Sequence, residues 1–300
     1  MPIPNPYINN SPSKEFIRNK WVEYISTIVT RKGDKELEMI DMPAAEMQDI
    51  HLLVDRGILE WQETETSIST EEPNEKVYRI TKGRLVFFEK NQNSERILTK
   101  KLVNSKVYSE IAQHLEVNYH KILIGSQKIF PVDVINLDFD GSLSNNKTGI
   151  QQLIKLIFEF QKRHNSDFCL FLTFPNTENE DTDNFKDALK LVLSQNLTSE
   201  HTHEFRDQFT TEYTSIDNMT YEKFLIVSIA KVIIKQSSEC FTILNNNFFT
   251  YTGGTGMRMI SILFDFQYIG PAKAGYGQYF TEVLRSLEPI DEVNPQENGV

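Results

Sequence analysis

The apolar positions of this chain change rhythm many times, and each change marks an element. In residues 15–30 (EFIRNKWVEYISTIVT) they fall at 16, 21, 22, 25, 28 and 29, a helical spacing. KELEMIDMPA (35–44) reads as a strand that stops at Pro43. AEMQDIHLLVDRGIL (45–59) puts Met47, Ile50, Leu53 and Val54 on one face, with Gly57 placed to end a helix. Residues 60–76 are polar and acidic, which suits a loop or an edge hairpin. KGRLVFFEKN (82–91) holds the apolar run Leu85–Phe88, a buried strand ending at Glu89. Residues 94–115 read as mainly helical, and HKILIGS (120–126) as a short strand. VDVINLDFDGS (132–142) is an apolar strand running into Asp138, Asp140 and Gly141. An amphipathic helix follows at 149–163, with Thr148 as its N-cap. DFCLFLTFP (167–175) is nearly continuous in apolar character, as in strands covered on both faces of a parallel sheet. Helices are expected at 183–196 and 221–236. Two β-rich runs, 240–252 and 257–269, flank GGTG (253–256) and predict an antiparallel hairpin.

Strands alternating with helices imply an α/β fold. The expectation is a three-layer, Rossmann-like, mostly parallel sheet with a C-terminal antiparallel β-hairpin. Residues 1–34 form an N-terminal extension with one helix, 35–270 the domain, and 271–300 a short helix and an acidic tail. The first ~14 residues, rich in Pro, Asn and Ser, are expected to be loosely held. Composition agrees: 39% of the 300 residues are apolar, with 20 Phe and 11 Tyr, enough for a sizeable core and too many for a disordered chain. The net charge of −11 argues against a surface that coats duplex nucleic acid, though not against a local basic groove. Two Cys exclude a disulfide scaffold and a Cys-rich zinc module. With no apolar run near the ~20 residues that span a bilayer and no signal-like N-terminus, a cytoplasmic chain without membrane contact is expected.

Open α/β sheets bind ligands beyond the carboxyl ends of their strands. Asp138 and Asp140, two residues apart at such an end, are candidates to face one crevice, and Gly141 would allow close backbone approach. The element order resembles the class I S-adenosylmethionine-dependent methyltransferases, whose sheet ends in a reversed strand. The string NLDFDGS also resembles the Asp-Leu-Asp-Pro-Phe-Gly-Ser motif after the fourth strand in tRNA guanine dimethyltransferases. Asn136, Leu137, Asp138, Gly141 and Ser142 fall in step with it, while Phe139 and Asp140 stand where Pro and Phe would be. The resemblance implies that Asp138 orients a target amine, with Asn136 and Asp140 beside it, in methyl transfer from S-adenosylmethionine, with a nucleobase among the acceptors in view. It implies Asp41 near the methionine end of the cofactor, Glu89 on the ribose hydroxyls, and Ser126 and Gln127 near the adenine. The first strand leads into Asp41-Met42-Pro43-Ala44-Ala45, with no glycine where the family has a Gly-rich turn. A non-catalytic methyltransferase-like subunit of a complex therefore stands beside the enzyme reading.

LDFDGSL also resembles the first motif of the haloacid-dehalogenase phosphatases. There Asp138 would attack phosphorus and Asp140 would protonate the leaving group, with Mg²⁺ between them and Thr173 in the second motif. That family normally opens its domain with this motif, and no later strand here supplies the remaining metal acids, so this reading ranks third. Otherwise no metal is expected: His164, His201 and His203 read as surface. Cys169 reads as a core residue, and Cys240 has no neighbour in sequence that marks a nucleophile. Lys82, Arg84, Lys90, Arg96, Lys100 and Lys101 are the basic concentration, either a solvated face or a patch tracking nucleic-acid phosphates.

Overall fold

The computed structural model describes residues 11–33, 35–43, 47–66, 75–103, 105–145, 149–271, 276–287 and 290–293. The chain begins with α1 (Pro12–Lys32). Ser11 caps it by accepting the Lys14 amide, Pro12 supplies a first residue whose missing N–H costs nothing there, and Gly33 ends it at φ 67°. Then come β1 (Glu38–Asp41), α2 (Gln48–Asp55), β2 (Glu60–Thr66), β3 (Glu75–Lys82), β4 (Arg84–Phe88) and α3 (Gln92–Lys101). β5 (Leu102–Val103), β6 (Lys106–Tyr108), α4 (Ile111–Val117), α5 (Tyr119–Leu123), β7 (Val134–Asp138), α6 (Ile150–His164) and β8 (Phe168–Pro175) follow. The chain continues through α7 (Asp183–Thr198), α8 (His203–Glu212), α9 (Tyr221–Ser237), β9 (Phe241–Thr252), β10 (Arg258–Tyr268), α10 (Tyr276–Arg285) and β11 (Asp291–Glu292).

The main sheet runs β11-β9-β10-β8-β7-β1-β4-β6. From β6 to β8 all neighbours are parallel, while β10 is antiparallel to both β8 and β9. This is the expected Rossmann-like α/β sheet with a reversed strand from the terminal hairpin. The chain starts in the centre at β1, builds outward through β4 and β6, then returns to the other side of β1 with β7. The β1/β7 junction is thus the switch point, where such sheets place their crevice. Helices α1 and α2 cover one face over Met39, Val134, Phe171 and Leu263. Helices α4, α6, α7, α8 and α9 bury the other face over Ile40, Ile135, Leu137, Leu170, Leu172, Ile262 and Phe264. β8 is buried along its whole length, which explains its lack of polar alternation.

Several expectations change. The 60–76 region does form a hairpin, but β2 and β3 belong to a separate small sheet, β2-β3-β5, not to the main sheet edge. Residues 94–115 hold two short strands as well as helix. The segment expected as a strand at 120–126 is instead helix α5 and a turn, and β6 is the third parallel strand. Helix α6 has Gly149 as its N-cap, and Thr148 lies outside the described residues. The tail is not all tail: Asp291 and Glu292 pair in parallel with β9, Val293 is buried, and Arg258 bonds Glu292 at 2.8 Å. At the other end, Ser13 and Lys14 are buried rather than loosely held. The GGTG turn closes the hairpin through Gly253 N–H to Met257 O at 2.8 Å.

Candidate active site at the carboxyl ends of β1 and β7

Asp41, Asn136 and Asp138 lie on the α1-covered face because they occupy alternate positions from Met39 and Val134, which belong to that core. The β1/β7 register brings Asp41 beside Asn136, whose Nδ2 donates to Asp41 Oδ1 at 2.8 Å. Asp41 Oδ2 and Asn136 Oδ1 are buried and have no hydrogen-bond partner among the described residues. Burial, then the Asp49 charge, pushes the Asp41 carboxyl well above the usual carboxylate range, against the pull of Asn136 and the Met42 amide.

Helix α1 brings two cations to this face. Arg18 Nε bonds Asp49 Oδ1 at 2.5 Å, joining α1 to the first turn of α2. Lys14 Nζ bonds Asp138 Oδ2 at 2.5 Å. The Lys14 side chain is 5% exposed and that of Asp138 23%. The ammonium also lies 5.0 Å from the Trp21 ring centroid, and Trp21 stacks on Phe171 of β8. Burial alone pulls this ammonium down. The Asp138 carboxylate, the Tyr251 hydroxyl and the Asp49 carboxylate outweigh it, and the group is held above the ordinary lysine value. Tyr251, on the reversed hairpin, is itself pushed up to about 12 by burial. Two of the three acids are thus matched by cations. Asp41 has only the neutral amides of Asn136 and Met42 against burial and the Asp49 charge, and its carboxyl resists ionisation.

Glu89 follows β4 on the same rim. Its amide bonds Tyr108 O and its Oε1 accepts the Asn91 amide at 2.7 Å, so the side chain bends back onto the turn that starts α3. Asp140 lies two residues beyond the end of β7, where strand alternation no longer sets its direction, and it is exposed. Thr173 is buried two residues inside β8, hydrogen-bonded to Ser261 Oγ at 3.0 Å. Gly141 has open space where a side chain would project.

Ser126 and Gln127 sit elsewhere. They precede the stretch feeding the amino end of β7, which Arg84, first residue of β4, grips through the carbonyls of Lys128, Ile129 and Pro131. Ser126 Oγ bonds Lys121 O at 2.9 Å, closing the turn after α5. The expectation of a strand end facing the crevice fails here because that strand is β6. Of the basic residues, Arg84 pairs with Glu38 at the amino rim and Lys82 with Glu60, while Lys100 and Lys101 end α3.

Two features escaped the sequence. Lys14 extends the buried stripe of Ile17, Trp21, Ile25 and Ile28 by one turn, a spacing that marks it as facing the sheet. Asp181 is buried and accepts bonds from Ser142 Oγ and, at 2.5 Å, from the Tyr221 hydroxyl. This ties the loops after β7 and β8 to α9. Among the described residues no group of three or more His, Cys, Asp or Glu side chains comes together to hold a metal. No described helix is long and apolar enough to cross a membrane.

No protein-family model matches the chain, and no curated protein matches it. Among solved structures it is similar to the plantazolicin methyltransferase BamL, in complex with SAH and a triazolic desmethylPZN analog. That similarity has TM-score 0.38 and 10% identity, over 83% of this chain and 85% of that one. It is also similar to a SAM-dependent methyltransferase from Methanosarcina mazei (TM-score 0.37, 13% identity, 81% and 97% of the chains). A candidate hemolysin from Streptococcus thermophilus scores alike (TM-score 0.38, 8% identity, 88% and 71%). Likenesses this distant add nothing to the strand order, which defines the fold on its own.

Proposed function

We propose that the carboxyl rim of β1, β4 and β7 is a methyltransferase-type site that binds S-adenosylmethionine and directs an amine toward it. The observation that carries this reading is the convergence of Asp41, Asn136 and Asp138 under α1 at the switch point. Asn136 Oδ1, a buried acceptor without a donor, and the Asp41 carboxyl, which an arriving cation would hold ionised, fit a group that brings N–H donors, as the ammonium end of this cofactor does. Asp41 and Glu89 are the residues that would hold it. Pro43 offers no N–H where a glycine-rich turn would aim amides, and the side chains of Asp41 and Glu89 carry the binding in this reading. The cofactor would supply an electrophilic methyl group on sulfonium. Asp138, partly open to solvent, would accept a hydrogen bond from the acceptor amine and fix its direction once Lys14 leaves its oxygen. Asn136 holds the Asp41 carboxyl in place.

A second reading is a non-catalytic module of the same fold that serves in a complex. Lys14 bonded to Asp138, together with Pro43 after β1, favours it. Calorimetry with S-adenosylhomocysteine separates the two. Binding that weakens about tenfold or more in Asp41→Ala supports the site. Absence of heat at millimolar ligand removes the cofactor and leaves the module.

A further inference from the structure

The stripe that docks α1 does not need a charge at its first position. Ile17, Trp21, Ile25 and Ile28 bury the helix, and Arg31 bonds both oxygens of Asp265 at 2.7 and 2.6 Å. An apolar residue at position 14 would extend that stripe without the desolvation that a buried ammonium suffers. Instead the chain holds a primary amine there, its stem covered, its Nζ on one oxygen of Asp138, an indole ring 5.0 Å away. A carboxylate and an aromatic ring around an alkyl stem are the recognition elements of an alkylammonium group.

We propose that the Lys14 side chain is a resident stand-in for the ligand of the Asp138 site, and that this ligand is a primary alkylamine of lysine-like reach. The inference deepens the amine reading above and rests on Asp138 as the group that holds it. Lys14 stands in the first turn of α1, so its side chain can swing out while the rest of the stripe keeps the helix docked. Held protonated, its nitrogen has no lone pair to offer an electrophile, so in this place it blocks the site and does not react there; an amine that replaces it binds as the ammonium and must give its proton to solvent, at the partly open side of Asp138, before it can take a methyl group. An incoming amine must displace it, and affinity is lowered by the fraction of time Lys14 is home.

The test uses the full chain and n-butylammonium as probe. Lys14→Ala should bind it saturably, by calorimetry and by a rise in melting temperature, at least about tenfold more tightly than the wild type. Lys14→Ala combined with Asp138→Asn should not bind it, and 1-butanol, which has the stem without the charge, should have no effect. Nα-acetyl-lysinamide and spermidine distinguish the source: preference for the first marks a lysine side chain of a polypeptide, preference for the second a free polyamine. Equal binding by wild type and Lys14→Ala, or undiminished binding without Asp138, overturns the proposal. Should Lys14→Ala fail to fold, the wild type labelled with ¹³C-lysine carries the same test. The Lys14 Cε resonance, shifted by the Trp21 ring, should move to the free-lysine position as butylammonium is added, and a resonance that stays put overturns the idea. Butylammonium binding without S-adenosylhomocysteine binding keeps the amine pocket and removes methyl transfer; the reverse result keeps the cofactor and removes the stand-in.

Discussion

Lys14 and Lys231 are the buried lysines among the described residues, and they lie in opposite electrostatic situations. Lys14 touches a carboxylate and is held charged. Lys231, in α9, donates to Val283 O at 2.6 Å and to Ser286 Oγ, and lies 4.3 Å from the Phe205 ring centroid. Burial pulls its ammonium well below the ordinary lysine value; Glu282 pushes back, and Lys223 adds to the fall. The lesson is that burial alone discharges an amine, and only a carboxylate in contact keeps the charge inside. Lys231 is a clamp that pins α10 against α8 and α9. Lys14 is a charge kept in a place built for one.

The largest effect should come from Asp138→Ala, which takes away the partner of the Lys14 ammonium and sends that side chain out to solvent. We expect a loss of about 2 kcal/mol in urea unfolding near neutral pH, from the lost contact and the emptied space under α1. A loss within experimental error would mean that the pair holds nothing. The next is Lys231→Met. Val283 O keeps the Ser286 hydroxyl as a donor at 2.7 Å, so no carbonyl is orphaned. The folded chain resists protonation at Lys231, so the wild type gains stability as pH rises toward the ordinary lysine value of 10.5. Lys231→Met lacks that dependence, and its advantage of about 1 kcal/mol should be greatest in acid and shrink as pH rises. The sign is opposite for Lys14. Its raised folded value makes its contribution full through neutral pH, to fade only above the ordinary lysine range. Urea midpoints across pH for the two single variants check both signs.

The smallest effect concerns the unpaired acid of the same site. Asp41 binds its proton more tightly folded than unfolded, so its contribution falls as pH rises above the usual carboxylate value of 3.8. Asp41→Asn keeps the Asn136 bond and removes the titration. Its gain should be close to nil in acid and grow to about 1 kcal/mol near neutral pH. A gain that does not vary with pH would show that the carboxyl is ionised in the fold. That outcome would also pair Asp41 more closely with Lys14 than its buried, cation-free surroundings suggest.

The parallel core was legible because its strands β1, β4, β7 and β8 are apolar runs whose ends carry acids or proline. The terminal hairpin was legible because two long β-rich runs flank a glycine turn. β6 was not: its three residues are half-buried or exposed and lie within what reads as a helix, so periodicity carries no trace of it. Ile122 to Ile124 suggested a strand by composition, yet the segment coils into α5 and leaves Ile124 79% exposed. The two acids of β11 have no strand signature at all. They join the sheet because Val293 is buried beside them and Arg258 bonds Glu292.

Local chemistry therefore settled where the strands end and which side chains stand at those ends, since alternation and apolar runs are properties of neighbouring residues. It placed Asp41, Glu89 and Asp138 at strand ends and left their company open. Company is a long-range matter. Lys14 meets Asp138 across 124 positions, Asn136 meets Asp41 across 95, and Tyr221 meets Asp181 across 40. None of these encounters leaves a mark in a window of adjacent residues. They follow from strand order and from the face on which α1 lies, and it is there that a strand-end acid becomes the partner of a buried amine.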